Sequence, residues 1–586
     1  MGFPSQRWRM EDVAGGVRFV NSQSERVLSA ASESDGAALE QRAAGGVGQA
    51  WSVSFADRPS RKGTGGFPTL SGMIQNRWAY NWGPNDTFPG EVEFWPMQWG
   101  SFFWERRPQL MPGWMRNAEP SVLMGYNEPD KEDQSNMPID TAASMWPRLE
   151  ILNMPLLGPA VAGHPANSDW IQGFMSRVEA DEMRLDYVGM HSYPDGVNPD
   201  GFINQITSAH NTWGRDVVVS EFSVVDWNDS GNFNRDQAYN WFAEVLWRME
   251  QLPYLHSYAV FIFTDEPNGT SENRGETREA DGSLTPTGRM YAAWDGDTQV
   301  RTDTPYFVHN KASHRRPGVV VGQTGLDSTV LGDRYEQSDA FQWRLIPTGT
   351  PGLFYIESVS DGTVLSYSAR GLEMRPVGSE GSPVEFGVQE IQHGWYAIEE
   401  SAFGRRLSSA SGDGTITLAN AGTVNDNVRW RFVPVLGGVP GPVRGGAAEP
   451  SGGGDVELSW EPHGFRDLIG FTVYRSGPGG GGSLEEIAAG VMGETWIDRV
   501  PEPGTYTYSV SALGDTGESE VVSLGAVAVD TCPADFNGDF AVDATDVEAA
   551  VVAIGGGLDY DGDGSSDFFD VLAFLRVHDE GCASGE

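Results

Sequence analysis

Two carboxylates stand at the ends of apolar, strand-like runs: Glu128 in Leu123-Met-Gly-Tyr-Asn-Glu-Pro-Asp and Glu221 in Val217-Val-Val-Ser-Glu-Phe. Such a pair suits acid–base work on an acetal, where the leaving oxygen needs a proton while the carbon it leaves gains positive charge. One carboxyl must then be protonated and the other ionised. Taken singly, a strand-end Glu fits a salt-bridge partner too; the two together, with Asn127 beside the first, favour catalysis. A second acidic pattern lies near the C-terminus. Asp535, Asn537, Asp539, Asp543 and Asp546 fall at positions 1, 3, 5, 9 and 12 of a loop, and Asp559, Asp561, Asp563, Asp567 and Asp570 repeat that spacing 24 residues later. Calcium takes about 6 to 8 oxygen ligands, and this spacing wraps side-chain oxygens around one ion per loop. An acidic solvated tail is the bland alternative, and the duplication argues against it.

The elements that must carry Glu128 and Glu221 are legible as near-continuous apolar runs. They are Ile74 to Trp82, Val92 to Trp99, Val122 to Glu128, Pro155 to Ala160, Tyr187 to Tyr193, Val217 to Phe222 and Tyr258 to Phe263. Helix-like stretches such as Arg235 to Met249 separate several of them, which is the rhythm of a (β/α)8 TIM barrel with a parallel sheet. Seven strands are placed and the eighth is inferred. In such barrels the chemistry gathers at the C-terminal ends of the strands, where both glutamates sit. Thirteen of the twenty tryptophans fall between residues 70 and 296. Flat rings that stack on sugar faces are one use for them, and a large core is the other.

The phrases Tyr80-Asn-Trp-Gly-Pro, Phe94-Trp-Pro-Met-Gln-Trp-Gly, Met124-Gly-Tyr-Asn-Glu-Pro-Asp, Asp133-Gln-Ser-Asn-Met, Leu157-Gly-Pro-Ala, His191-Ser-Tyr and Ser220-Glu-Phe resemble glycoside hydrolase family 128. Asn127-Glu128 also resembles the acid/base motif of the largest clan of retaining glycosidases. The resemblance implies cleavage of β-1,3-glucan, with Glu128 as acid/base, Glu221 as nucleophile and Asn127 on the sugar 2-hydroxyl. It needs no cofactor. Tyr80, Trp82, Trp99, His191, Tyr193 and Trp227 are the substrate-side candidates: Trp82 and Trp99 for stacking, Tyr193 to orient Glu221, and His191 as either a sugar contact or a structural histidine. The charge of Glu221 is expected to help keep Glu128 protonated. One departure lies in the last strand, where Tyr258-Ala-Val-Phe replaces a Tyr-Ala-Trp-Phe phrase and puts stacking at Val260 in question.

At 586 residues the chain is too long for one core, so several domains are expected. Segments from Tyr306, Phe354 and Trp395 repeat at roughly 40 residues as sets of hairpins, which predicts a β-trefoil over 300–436. Gln342-Trp343 and Trp430 resemble the signature of ricin-type lectins, though the middle repeat has no Trp near Val388. Residues 1–56 resemble a partial copy, with Gln6-Arg-Trp8 and Gln49-Ala-Trp51. A Gly/Pro linker is read at 437–454. A small β-sandwich resembling fibronectin type III follows at 455–530, and 531–586 resembles a dockerin, a small α-helical calcium-loop module that implies a cohesin or cell-surface partner. Residues 70–296 hold the barrel.

With 82 acidic against 39 basic residues the net charge is -43, which repels phosphate backbones and anionic lipid, so nucleic acid is not an expected partner. No apolar run approaches the ~20 residues of a transmembrane helix, and no membrane insertion is expected. The two cysteines, Cys532 and Cys582, bracket the acidic segment and read as one local disulfide in an oxidising compartment, with a reduced pair as the alternative. No export signal is visible at the N-terminus. The expectation is a secreted protein whose N-terminus is truncated. One rival keeps the enzyme and changes the substrate to another β-glucan, such as a mixed-linkage glucan; the rival of a different class is a surface adhesin whose barrel binds glucan without cutting it.

Overall fold

The computed structural model describes residues 8–13, 16–21, 26–30, 39–42, 61–66, 74, 76–84, 86–88, 92–101, 122–228, 230–261, 275–320, 329–332, 337–368, 371–377, 384–409, 416–452, 454–477, 483–501, 503–529, 534–537, 542–561 and 565–580. Cys532, Cys582, Asp539, Asp563 and the Gln49-Ala-Trp51 phrase lie outside the described residues. The chain divides into two units, Met1–Arg61 and Lys62–Glu586. In the first, strands Trp8–Val13, Gly16–Asn21, Val27–Ala30 and Leu39–Arg42 form an antiparallel meander.

The second unit opens with eight parallel strands: β1 (Lys62–Gly65), β2 (Trp78–Tyr80), β3 (Glu93–Phe94), β4 (Leu123–Met124), β5 (Leu156–Leu157), β6 (Tyr187–Ser192), β7 (Asp216–Phe222) and β8 (Leu255–Phe261). Their order is β3-β2-β1-β8-β7-β6-β5-β4. Gln98 N–H donates to the Met124 carbonyl, and Met124 N–H to that of Pro96, so β4 meets the chain just beyond β3 and the sheet closes on itself. The eighth strand is thus β1, upstream of the expected boundary at 70. Its sequence Lys-Gly-Thr-Gly has no apolar run to betray it. The glycines serve packing: a Cβ on Gly63 would stand 2.2 Å from the Trp78 ring, and one on Gly65 would meet the Tyr80 phenol at 2.6 Å.

Those rings fill the barrel. Trp78 and Trp95 stack with centroids 3.9 Å apart, and Tyr80, Met97, Met124, Leu157, Val218 and Ala259 complete an inner core. Alternate strand residues such as Val188, Met190, Val217 and Val219 face outward into a larger core shared with the helices Asp169–Ala180, Pro199–Trp213 and Arg235–Glu250. That outer core also takes in Phe307 and Val433 from the following β-rich region. Arg431 is buried at this seam, donating to the carbonyls of Ala243 and His393 and lying over the Trp395 ring.

In that region six strands pair in a closed antiparallel ring: Tyr306–Asn310, Gln342–Pro347, Leu353–Ser358, Phe386–Gln392, Trp395–Glu400 and Trp430–Pro434. Three hairpins complete it, Arg316–Val319 with Thr329–Gly332, Thr363–Ser368 with Gly371–Pro376, and Arg406–Ser409 with Ile416–Ala419. Trp343 and Trp430 are equivalent within this pattern. Each indole N–H donates to the second residue of a hairpin, Pro317 at 2.9 Å and Leu407 at 2.8 Å.

Next come two facing sheets. Ala447–Gly452, Asp455–Ser459 and Thr495–Arg499 form one, and the other is built on Leu468–Ser476 and Gly504–Gly514. The stretch read as a linker is fixed in place: Ala447–Gly452 is a paired strand, Val443 joins the sandwich core, and Arg444 pairs with buried Asp303. Its Gly/Pro composition serves turns and an edge strand. Two helices, Ala544–Gly555 and Phe568–Glu580, follow the acidic loops.

Candidate active site

Strict alternation along β7 would waste Glu221. Val217 and Val219 face the outer core, so a residue two further on belongs on that side too. The register breaks instead. Met190 pairs with Val219 but His191 pairs with Glu221, and toward β8, Val219 pairs with Tyr258 and Phe222 with Val260. One extra residue at Ser220 makes a bulge that turns Glu221 into the barrel mouth and Phe222 outward. Glu128 is brought in by another local device. It follows β4 with φ of +42°, a left-handed conformation uncommon for a side chain of this size, and its N–H donates to the Ala160 carbonyl. Trp82, after β2, has φ of +56°.

Three donors hold Glu221: Tyr80 Oη and Trp82 Nε1, each 2.9 Å from Oε1, and Tyr193 Oη, 2.6 Å from Oε2. Burial and the neighbouring carboxylate push both tyrosines well above their ordinary pKa, so they stay protonated and donate. His191 lies between the acids, with Nδ1 3.0 Å from Glu128 Oε1 and 3.3 Å from Glu221 Oε2. Burial works against its charge, but Glu221 and Glu128 outweigh that and raise its pKa. One oxygen of Glu128, one of Glu221 and a ring nitrogen of His191 all lie within 4.8 Å of one another.

The electrostatics of Glu128 differ from the expectation. Burial does push its pKa upward, yet the hydrogen bond and charge of His191 and the ammonium of Lys131, 3.7 Å from Oε2, hold it below the ordinary carboxylate value. In the open site these neighbours therefore favour the charged form of Glu128, against the effect expected from Glu221.

The remaining candidates divide. Asn127 donates to Gln134 Oε1 at 3.1 Å, while its buried Oδ1 has no hydrogen-bond partner among the described residues and is the atom open to a ligand hydroxyl. Trp82 anchors Glu221 through its indole N–H, a role beyond stacking. Trp99 is half-buried against the inner core, and its carbonyl receives the Asn127 N–H. Trp227 is 57 % exposed at the rim, edge-on to Tyr193. Asp226 is buried and ties down its own loop through Ser230, Gly231 and Asn232. Val260 is fully buried in the outer core, so its difference from the family phrase does not touch the cleft. The aromatic that does is Phe261, packed on Trp82 and Tyr193 with centroids 5.9 and 5.7 Å away. Lys131, Gln134 and Phe261 were missed. Alternation from inward Ala259 was the one signal for Phe261.

The acidic loops form a separate constellation. Oxygens of Asp559, Asp561 and Asp570 lie within 4.8 Å of one another, a hard-oxygen set that suits calcium. Asp570 also accepts from the N–H groups of Tyr560, Asp561 and Asp567, and Asp546 from those of Asn537 and Asp543. Asp543 caps the helix Ala544–Gly555. Asp535 is buried, and Asn537 Nδ2 donates to Thr545.

A closed parallel barrel with two buried carboxylates meeting at the ends of β4 and β7 defines a glycoside-hydrolase type of core. Residues 69–291 match the family model described as the glycosyl hydrolase catalytic core, so this segment carries such a core. Among curated proteins none matches the chain. Similar solved structures include a family 128 subgroup I endo-β-1,3-glucanase from Amycolatopsis mediterranei in complex with laminaritriose, at 24% identity over 40% of this chain and 99% of that one, TM-score 0.34. A subgroup V exo-β-1,3-glucanase from Cryptococcus neoformans is 21% identical over 40% and 99%, TM-score 0.32. A subgroup VII oligosaccharide-binding protein from Trichoderma gamsii is 21% identical over 41% and 96%, TM-score 0.33.

Proposed function

We propose that the chain is a secreted, retaining endo-β-1,3-glucanase. The observation that carries the mechanism is the approach of Glu128 and Glu221 oxygens to within 4.8 Å. Retaining enzymes hold the two carboxyl groups only ~5 to 5.5 Å apart, whereas inverting ones leave ~6.5 to 9.5 Å for a water. The β-1,3 linkage rests on the motif resemblance along the barrel.

Glu221, aimed by Tyr80, Trp82 and Tyr193, attacks the anomeric carbon while Glu128 gives a proton to the leaving oxygen. In the ester intermediate Glu128, now ionised, takes a proton from the incoming water. Asn127 Oδ1 accepts from a sugar hydroxyl near the reacting carbon, and Trp82, Phe261 and Trp227 offer ring faces and edges to the glucan.

The ring of six strands with three hairpins supports reading residues 300–436 as a β-trefoil of ricin type, and the facing sheets support a fibronectin type III-like spacer. The paired acidic loops and helices support a dockerin-like module that would hold calcium through Asp559, Asp561 and Asp570, with Asp535, Asn537 and Asp546 in the first loop. Calcium there would order the loops and take no part in bond cleavage. A cohesin or cell-surface protein is the partner this module would dock.

The test is digestion of laminarin, curdlan, barley mixed-linkage glucan and carboxymethylcellulose by the full chain, with proton NMR of the first sugar released. Short β-1,3 oligosaccharides appearing first as the β-anomer support both halves of the reading. An α-anomer first product would sink retention, and cleavage confined to carboxymethylcellulose would sink the linkage.

A further inference from the structure

The two oxygens of Glu128 have different neighbours. Oε1 is taken by His191 Nδ1 at 3.0 Å, and that ring, 1% exposed, is wedged against Glu221 as well. Oε2 is left to meet a leaving-group oxygen, which must come within ~2.6 to 3.2 Å to receive a proton. Yet Oε2 already has Lys131 Nζ beside it at 3.7 Å. The two cannot occupy the same side of one oxygen. Lys131 is free to yield: its side chain is 47% exposed, 3.7 Å is too long for a firm hydrogen bond, and Asp133 Oδ1 waits 3.8 Å from the same nitrogen.

We propose that Lys131 is a displaceable positioning residue, whose ammonium holds the substrate-facing oxygen of Glu128 in the open cleft and passes to Asp133 when the glycosidic oxygen of a bound glucan takes its place. The inference rests on the acid/base role given to Glu128 above. Once the ammonium has left, the Glu128 carboxylate takes a proton from solvent. It delivers that proton to the glycosidic oxygen as the bond from that oxygen to the anomeric carbon breaks and a Glu221 oxygen bonds the carbon. Water then attacks the ester, returning a proton to Glu128 and releasing Glu221 as carboxylate.

The groups facing Glu128 are His191 from β6, Glu221 from β7, Tyr80 at the end of β2, Tyr193 after β6 and Lys131 on its own loop, with Asp130 acting on His191. Of these, His191 and Lys131 favour the ionised form, and only Lys131 stands at the rim where a ligand can move it.

The test is the pH profile of the full-length Lys131→Met variant. Glu128 must be protonated to act, so removing a cation that favours its charge moves the alkaline limb of kcat/KM to higher pH, by about half a unit to one unit for a part-exposed pair. The limb of kcat moves less, because the lysine has already left the occupied site. Lys131→Arg restores the wild-type limb. An unmoved kcat/KM limb, or equal shifts in kcat and kcat/KM, would overturn the proposal. Should the wild type cleave no glucan, the acid/base reading has failed and the lysine is judged separately. Its readout is then the carboxyl 13C titration of Glu128, assigned by its loss in Glu128→Gln; an upward move in Lys131→Met supports the contact and no move overturns it.

Discussion

In the barrel mouth, Glu128 and Glu221 come from strands on different sides of a closed sheet and are held by side chains: two tyrosines, a tryptophan and a histidine. In the C-terminal module, Asp559 and Asp561 come from one loop and Asp570 from the first turn of the helix that follows it, and backbone N–H groups satisfy Asp570, the most buried of them. The first arrangement sets a histidine between the two carboxylates, which raise its pKa, and aims three side-chain donors at Glu221. The second gathers its charges locally and leaves them facing one another, an arrangement that a divalent cation relieves. Clustered carboxylates are thus handled in two ways here: in the cleft both are buried and neighbouring side chains satisfy them, while in the C-terminal module only Asp570 is buried and its partners are backbone N–H groups.

The largest expected effect is on the cleft. Glu221→Gln should lower glucan hydrolysis by at least about 10³-fold while leaving glucan retention intact, measured by product release beside a pull-down on curdlan. Loss of retention together with activity would show that the variant had damaged the fold. Chelation tests the other cluster. Removing calcium should raise hydrogen exchange in the helices Ala544–Gly555 and Phe568–Glu580, which lose about 2.7 kcal/mol relative to the ion at a hundred times its dissociation constant, with no change in the barrel. Equal protection with and without the ion would break the comparison.

Smaller effects sharpen it. Tyr193→Phe removes a hydrogen bond to a charged oxygen, worth about 1.5 to 3 kcal/mol, and should lower kcat at least about tenfold with little change in KM. A change in KM alone would place Tyr193 on the sugar rather than on Glu221. A buried charge outside both clusters gives the smallest effect per pH unit. Lys62 donates to the carbonyls of Tyr291 and Ala292 at the end of the helix Pro286–Ala293, and burial lowers its pKa from 10.5 to about 7. Between those values the unfolded chain binds a proton that the folded one does not. Stability should therefore rise with pH across that window by up to about 1.4 kcal/mol per unit. Lys62→Met should flatten that slope in denaturant titrations, and an unchanged slope would assign it to other groups.

The barrel's dependence on its neighbour follows from the same packing. Phe307 and Val433 sit in the outer core, and Arg431 spends its donors on the carbonyls of Ala243 and His393. The catalytic segment and the β-rich region that follows share one hydrophobic body.

What could be read from the sequence was what is local. Asn127-Glu128-Pro129 and Ser220-Glu221 mark the cleft because their residue types sit at strand ends, and the acidic loops stand out because Asp559, Asp561 and Asp570 fall within twelve positions of one another. The order of the β-rich modules follows from repeats and turn residues. The tertiary structure decided what depends on register and on long-range contact. A one-residue bulge at Ser220 turns Glu221 inward, and the same alternation buries Val260 and presents Phe261, since a slip of one reverses a strand's faces. β1 escaped notice because Gly63 and Gly65 have no side chains to show, their place being set by the rings of Trp78 and Tyr80. The lowered pKa of Glu128 belongs to the fold as well: the groups that lower it, His191 from another strand and Lys131 across a turn, act through distances that only the folded chain defines.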